Sequence, residues 1–298
     1  MAEPVIQLAA ETGAPEGARS VAKNLWRRSR RNKMFWTGTV LVLLFVLMAV
    51  FAPVVSRHDP IAMNLDIKLQ APGPEHWGGT DNFGRDVMAR IFYGARISLL
   101  SALAAVSLAV GLGTVIGLLS GYMGGAVDMV VQRLVEVALA FPGLLLALAI
   151  VAVLGPGQFN VMLAVGLGGV PGYIRLVRGE VLAVKNREYV EAARALGASD
   201  RRMMYRHVLP NILSPVVVVA TLGTAGAIQA TAALSFLGMG AQPPTPAWGT
   251  MIAEGQSFLY NAWWMPTMPG LAIAVCILGF NLFGDGLRDL LDPKTVRK

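Results

Sequence analysis

The stretch Glu188–Asn211, EYVEAARALGASDRRMMYRHVLPN, decides how this chain is read. It lies between two long apolar runs, is too polar to cross a membrane and too short to form a domain. Tyr189, Ala192, Ala193 and Leu196 recur at helical spacing, a small-residue face that a partner groove can approach closely. Gly197 supplies the flexible or positive-φ position that ends one helix and re-aims the next. Ser199–Asp200 predicts the cap of a second helix carrying Met203, Met204 and Val208 on one side. Pro210 predicts the stop of that helix before the next apolar run. A charged, hinged helix pair of this kind suits the reception of force from another protein; the plainer reading is a surface loop.

Outward from this stretch the chain is greasy. Of 298 residues, 55% are hydrophobic and only 14% charged, whereas soluble domains carry about a quarter charged residues. Charge is scarce where it must sit in hydrocarbon. Six apolar segments approach the roughly 20 residues a spanning helix needs: Met34–Val55, Ile97–Gly121, Met129–Leu154, Phe159–Val177, Ile212–Leu237 and Pro266–Gly284. The first is too long for a signal peptide, follows a basic leader and lacks a clear cleavage site, so it reads as an uncleaved anchor. The fold class expected is an all-α membrane protein of six transmembrane helices.

Lysine and arginine set the orientation, because positive loops stay cytoplasmic. One side holds the leader KNLWRRSRRNK (Lys23–Lys33), seven basic residues from Arg178 to Arg206, and Arg288, Lys294, Arg297 and Lys298. The other holds Arg57, Lys68, Arg85, Arg90 and Arg96 in one loop, and no basic residue between Gly238 and Pro266. Both termini and the opening stretch are therefore expected in the cytosol, in a cell (inner or plasma) membrane. The net charge of +7 is accounted for by topology, with no nucleic-acid partner needed. Met1–Ala22, rich in Ala, Glu, Gly and Pro, reads as disordered. Lys23–Lys33 is an orientation signal or, alternatively, an anchor on anionic lipid.

Catalytic motifs are missing. There is no GxxxxGK[ST] phosphate loop, no HExxH, no GxSxG and no intramembrane aspartate pair. Cys276 is the single cysteine, and His58, His76 and His207 are scattered without ligand-like spacing, so no metal, cofactor or catalytic site is expected. Within the bilayer, Gly113, Gly117 and Gly121 repeat every four residues, a face expected to pack against another helix. Arg133 and Glu136 are spaced to pair. Pro142–Gly143 should bend the third span. Asp81, Arg85 and Asp86, among Gly78, Gly79 and Gly84, read either as a structural turn or as an external rim receiving a substrate-binding protein. Pro243, Pro244 and Pro246 stiffen the loop before the last span. Trp248, Trp263 and Trp264 are expected as an aromatic belt at the lipid headgroups.

Three strings carry a resemblance. EAARALG with its following LP (Glu191–Gly197, Leu209–Pro210) resembles the EAA motif of permease subunits of binding-protein-dependent ABC importers. GGTDNFGRDVMARIFYGARISL (Gly78–Leu99) and LSFLGMGAQPPTPAWG (Leu234–Gly249) resemble the C-type permeases of dipeptide, oligopeptide and nickel importers. The likeness runs from the first span to DGLRDLLDP (Asp285–Pro293). It departs at His207, where the family has isoleucine, and at Thr231, where these permeases often carry glutamate.

The resemblance implies the type I ABC importer permease fold and a cytosolic coupling helix that docks on an ATPase. Tyr189, Glu191, Ala192, Ala193, Leu196, Gly197, Met203, His207, Leu209 and Pro210 are its expected coupling residues. It also implies a second homologous permease, two ATPase subunits and an extracytoplasmic substrate-binding protein as partners, besides membrane lipid. The expected division is a basic segment at 1–33, a first span with external loop at 34–96, a core at 97–285 with its coupling loop at 178–211, and a tail at 286–298. Di- or oligopeptide is the expected cargo; nickel chelates, glutathione or another small solute stay open. Outside this family, a stand-alone secondary transporter or channel is the alternative, but inverted repeats and a ring of buried charge are not evident. A membrane-embedded enzyme ranks third.

Overall fold

The computed structural model describes residues 29–30 and 32–291. The expectations for Met1–Ala22, for most of the Lys23–Lys33 leader and for the tail beyond Leu291 lie outside the described residues. Among the described residues the chain is helical, apart from one isolated bridge between Thr80 and Asp86. Five helices are long and apolar enough to span a membrane, and a broken pair makes the sixth.

Helix α1 (Lys33–Val55) starts where Asn32 Oδ1 accepts a hydrogen bond from the Phe35 N–H at 2.9 Å. It runs antiparallel to the last helix, α9 (Trp264–Leu291). The two approach closely because glycines face backbone. A Cβ at Gly286 would lie 2.5 Å from Phe35 Cα, one at Gly279 2.9 Å from Leu41 Cβ, and one at Gly38 would strike Phe283.

Helix α2 (Val87–Met123) begins earlier than its apolar run indicates. Asp86 caps it, Oδ1 accepting from the Ala89 N–H at 2.7 Å, so Arg90 and Arg96 lie within the helix and not in the loop where the charge pattern had set them. Its 37 residues make a rod of about 55 Å, well over the roughly 30 Å of hydrocarbon, and its first turns stand outside the apolar layer. Gly124 (φ +66°) and Gly125 (φ +54°) turn the chain sharply into α3 (Gly125–Leu139). Pro142, with extended backbone, then separates α3 from α4 (Gly143–Leu154). The bend expected at Pro142–Gly143 is a break: the two halves meet at 91°. Proline has no N–H to continue the helix and its ring disfavours the preceding α conformation.

Helix α5 (Gln158–Lys185) runs parallel to α2 and leads through a two-residue turn to α6 (Glu188–Ala195). Then α7 (Asp200–Phe236) forms one continuous 37-residue rod. Pro210 does not stop it. Instead Met203–Val208 winds as π-helix immediately before Leu209–Pro210. The looser winding absorbs the hydrogen bond and the room that a proline ring takes from the preceding turn. A short helix α8 (Trp248–Gln256) fills the loop before α9. Outward apolar side chains such as Leu43, Val54, Leu134, Val153 and Leu278 are exposed along the spans, a surface made for hydrocarbon.

Candidate functional site

The polar element at Glu188–Asn211 is anchored from beneath. Val190, Met203 and Val208 are fully buried, packed with Leu118 and Tyr122 of α2 and with Val177, Val181 and Val184 of α5. Lys185 Nζ donates to the Tyr122 carbonyl, and the Tyr122 hydroxyl donates to Asp200 Oδ1 at 2.7 Å. Beside them Arg178 meets Asp128 in two 2.6 Å hydrogen bonds, and Ser120 donates to Asp128 at 2.6 Å. The element is thus bolted to the ends of α2 and α5.

Its outer face sets three uncovered apolar side chains among charged ones such as Glu188, Glu191, Arg194, Arg201 and Arg202. Leu196 is 89% exposed, and Tyr189 and Tyr205 are exposed with it. Glu191, Ala192 and Gly197 are exposed; Ala193, His207 and Leu209 are half-buried; Pro210 is exposed. Gly197 sits at φ +83°, the left-handed position its residue type anticipates. Two sequence expectations need correction. Met203 is internal and cannot meet a docking protein, because its side chain is fully buried in the cluster with Val190, Val208 and residues of α2 and α5. Ser199 stands at the cap position but makes no side-chain cap hydrogen bond. Sequence reading missed Val190, a lone β-branched residue one place after Tyr189, whose burial sets which face of α6 points outward.

The helices flanking this element, α5 and α7, both help to line a cavity of about 330 Å³ in the bundle. Gly168, Gly169 and Tyr173 come from α5; Gly223, Gly226, Ala227 and Ala230 come from α7; Ala105, Ala109, Gly143 and Ala147 complete the wall. Its lining is small and uncharged, with the Tyr173 hydroxyl as a polar group. The chain therefore passes without interruption from cavity wall (α5) to polar element to cavity wall (α7). Gly113, Gly117 and Gly121 lie against α5 behind this wall: a Cβ at Gly117 would come 2.8 Å from the Ile174 carbonyl oxygen, one at Gly121 3.0 Å from Val181 Cβ, and one at Gly113 would strike Tyr173. Thr231, where an acid was the alternative, is buried and donates to the Ala227 carbonyl at 2.8 Å. Arg133 and Glu136 pair at 2.9 Å on an exposed face.

At the opposite end the expected rim is a buried knot. Asp81, Arg85 and Asp86 are 3%, 1% and 5% exposed. Arg85 reaches Asp81 at 2.5 Å and Glu254 at 3.0 Å; Arg90 reaches the same Glu254 oxygen at 3.0 Å. Arg90 also donates to the carbonyls of Pro60 and Pro244. These side chains cannot receive a docking protein; they tie α1's outer loop, the start of α2 and α8 together. Glu254 was missed. Its signal was its isolation, the only acid between Gly238 and Pro266 in a loop without a basic residue. Two of the three tryptophans likewise leave the belt. Trp248 donates to the Ile91 carbonyl at 3.0 Å and Trp264 to the Thr80 carbonyl at 3.1 Å, both buried, while Trp263 is exposed. An indole N–H that finds an internal acceptor can bury the whole ring. The histidines are not all scattered: His58 and His76 meet at Asp86.

Residues 113–297 match the family model of the binding-protein-dependent transport system inner membrane component. The chain belongs to this family. Residues 20–72 match the N-terminal TM domain of oligopeptide transport permease C. Among curated relatives, the chain is 44% identical over 272 residues to the dipeptide transport system permease protein DppC of Alkalihalophilus pseudofirmus, covering 91% of this chain and 90% of that one. It is 44% identical over 281 residues to the di/tripeptide transport system permease protein DppC of Pseudomonas aeruginosa, 92% and 93% covered. It is 43% identical over 281 residues to the glutathione transport system permease protein GsiD of Escherichia coli, 94% and 93% covered. A solved inward-facing MetNI methionine ABC transporter shares the fold, with a TM-score of 0.51 at 19% identity, over 65% of this chain and 94% of that one. The chain is a multi-pass membrane permease subunit of this fold.

Proposed function

We propose that this permease forms one half of the translocation pathway of an ATP-driven importer of di- and oligopeptides, with both termini cytosolic. The observation that carries the reading is continuity: two of the four helices lining the cavity, α5 and α7, are joined by the polar element whose exposed face holds Tyr189, Leu196 and Tyr205. A partner that moves this face moves two of the helices that wall the cavity. The charge bias puts that face in the cytosol, where two ATPase subunits grip it and its counterpart on a second, homologous permease. ATP-driven closure draws the two coupling elements together and opens the cavity outward to a substrate-binding protein; hydrolysis returns it inward. Lys, Arg, Asp and Glu are absent from the cavity wall, which suits a pathway that must pass peptides of differing side-chain charge without trapping them. The relatives named for dipeptide, di/tripeptide and glutathione transport support the peptide assignment.

The organisation proposed keeps a basic segment at 1–33, a coupling loop at 178–211 and a tail at 286–298, with the core opening at Val87. Leu196→Asp tests the reading. It places charge at the centre of the exposed face without touching the buried anchor, so the variant should reach the membrane at normal level yet fail to co-purify with the ATPase subunits. Co-purification at wild-type level with full peptide uptake would overturn the proposal.

A further inference from the structure

The segment between α1 and α2 folds back so that three side chains distant in sequence converge outside the knot of Arg85, Arg90 and Glu254. His76 Nδ1 lies 2.7 Å from Asp86 Oδ2, and His58 Nδ1 lies 3.4 Å from the same oxygen. The two imidazole centroids are 4.6 Å apart, and one ligating atom from each of the three residues lies within 4.8 Å of the others. We propose that His58, His76 and Asp86 bind a divalent transition-metal ion of the zinc class.

Two neutral imidazoles and a carboxylate suit zinc, nickel or copper; calcium and magnesium demand shells built of oxygen. Tetrahedral bonds of about 2.0–2.1 Å place neighbouring ligand atoms roughly 3.3 Å apart, and the distances to the Asp86 oxygen, 2.7 and 3.4 Å, bracket that value. Both rings aim a nitrogen at one oxygen, an arrangement that a single shared cation satisfies at once. The support is already built. Asp86 is buried and its other oxygen is held by the Ala89 N–H, and an oriented ligand of this kind strengthens a metal site. His76 is buried, while His58 is exposed, and a cleft lined by Ser56, Glu75 and Trp77 leads to the group from solvent. Arg57, the nearby cation, is drawn over the Trp77 ring at 4.5 Å. The positive end of α2 opposes a cation here, so the Asp86 charge is indispensable. The bound ion cross-links the outer end of α1 to the cap of α2, fixing the loop that carries Asp81 and Arg85.

The test uses the full-length chain purified in detergent through a tag without histidines. Titration of Zn2+ against a chelating indicator should show one ion per chain, and Co2+ should give the intense visible absorption of a tetrahedral complex. Mg2+ should not compete. His58→Ala should weaken Zn2+ binding about 10-fold or more, and Asp86→Asn should weaken it further. Both variants should retain normal yield, because His58 is exposed and asparagine still caps a helix. Added Zn2+ should raise the unfolding temperature of the wild type and leave that of His58→Ala unchanged. Equal Zn2+ affinity in the wild type and both variants, or no stoichiometric binding of Zn2+ or Co2+ by the wild type, would overturn the proposal.

Discussion

The Tyr122 hydroxyl donates to Asp200 at 2.7 Å, joining the end of α2 to the start of α7 across 78 positions of sequence. Beside the buried Met203 and Val208, it is a polar tie that holds the second half of the polar element against the bundle. Tyr122→Phe keeps the ring and removes this bond, which is worth about 1 kcal/mol net. Membrane levels should stay normal while peptide uptake falls. Asp200→Asn, which can still accept the bond, should be milder. If Tyr122→Phe transports at the wild-type rate, the tie has no part in coupling.

Gly197 tests the hinge without a packing complication. A Cβ there meets nothing within 4 Å, but φ is +83°, so any cost comes from the backbone alone. Valine should cost roughly 1–2 kcal/mol and mis-aim the second helix; asparagine, which tolerates this conformation, should not. The expected outcome for Gly197→Val is normal insertion, little uptake and ATPase activity no longer stimulated by loaded binding protein. Equal behaviour of the valine and asparagine variants would refute the hinge.

The glycine face of α2 should respond in order of clearance. Alanine at Gly113 strikes Tyr173, at Gly117 it meets a backbone oxygen at 2.8 Å, and at Gly121 it meets Val181 Cβ at 3.0 Å. Overpacking costs about 1–3 kcal/mol, so detergent-extracted yield should fall most for Gly113→Ala and least for Gly121→Ala. Gly117→Leu should be worse than Gly117→Ala. Tolerance of leucine at Gly117 would mean that α2 and α5 do not pack as described.

Glu254 is expected to be structurally indispensable. Glu254→Ala leaves Arg90, 1% exposed, with only a 3.8 Å approach to Asp81 and two backbone carbonyls. An uncompensated buried charge costs about 3–5 kcal/mol, so the variant should be recovered poorly or aggregate on mild heating. Glu136→Gln breaks an exposed pair and should change the yield little. Similar yields for the two variants would count against the buried knot.

Topology is open to a direct measurement. Cys276 is 1% exposed, so background labelling is low. In intact cells a cysteine at Ser257 should react with an impermeant thiol reagent and one at Ser199 should not. The reverse pattern would place the coupling face outside and end the importer reading.

How far the sequence could be read depended on whether a property was local. Apolar length and the placement of lysine and arginine are summed along the chain, so the six spans of Met34–Gly284 were evident in it, as were the left-handed backbone position at Gly197 and the kinship carried by EAARALG. Burial and partnership arise between segments far apart in sequence, and no periodicity encodes them. Asp81 and Arg85 looked like a rim until Glu254, 169 positions beyond Arg85, supplied the charge that lets them be buried. Met203 looked like a docking residue until α2 and α5 closed over it. Only the tertiary structure decided that Pro142 breaks its span at 91° while Pro210 is carried through by π winding. A proline removes one hydrogen bond in either case, and neighbouring packing determines whether the backbone bends or rewinds.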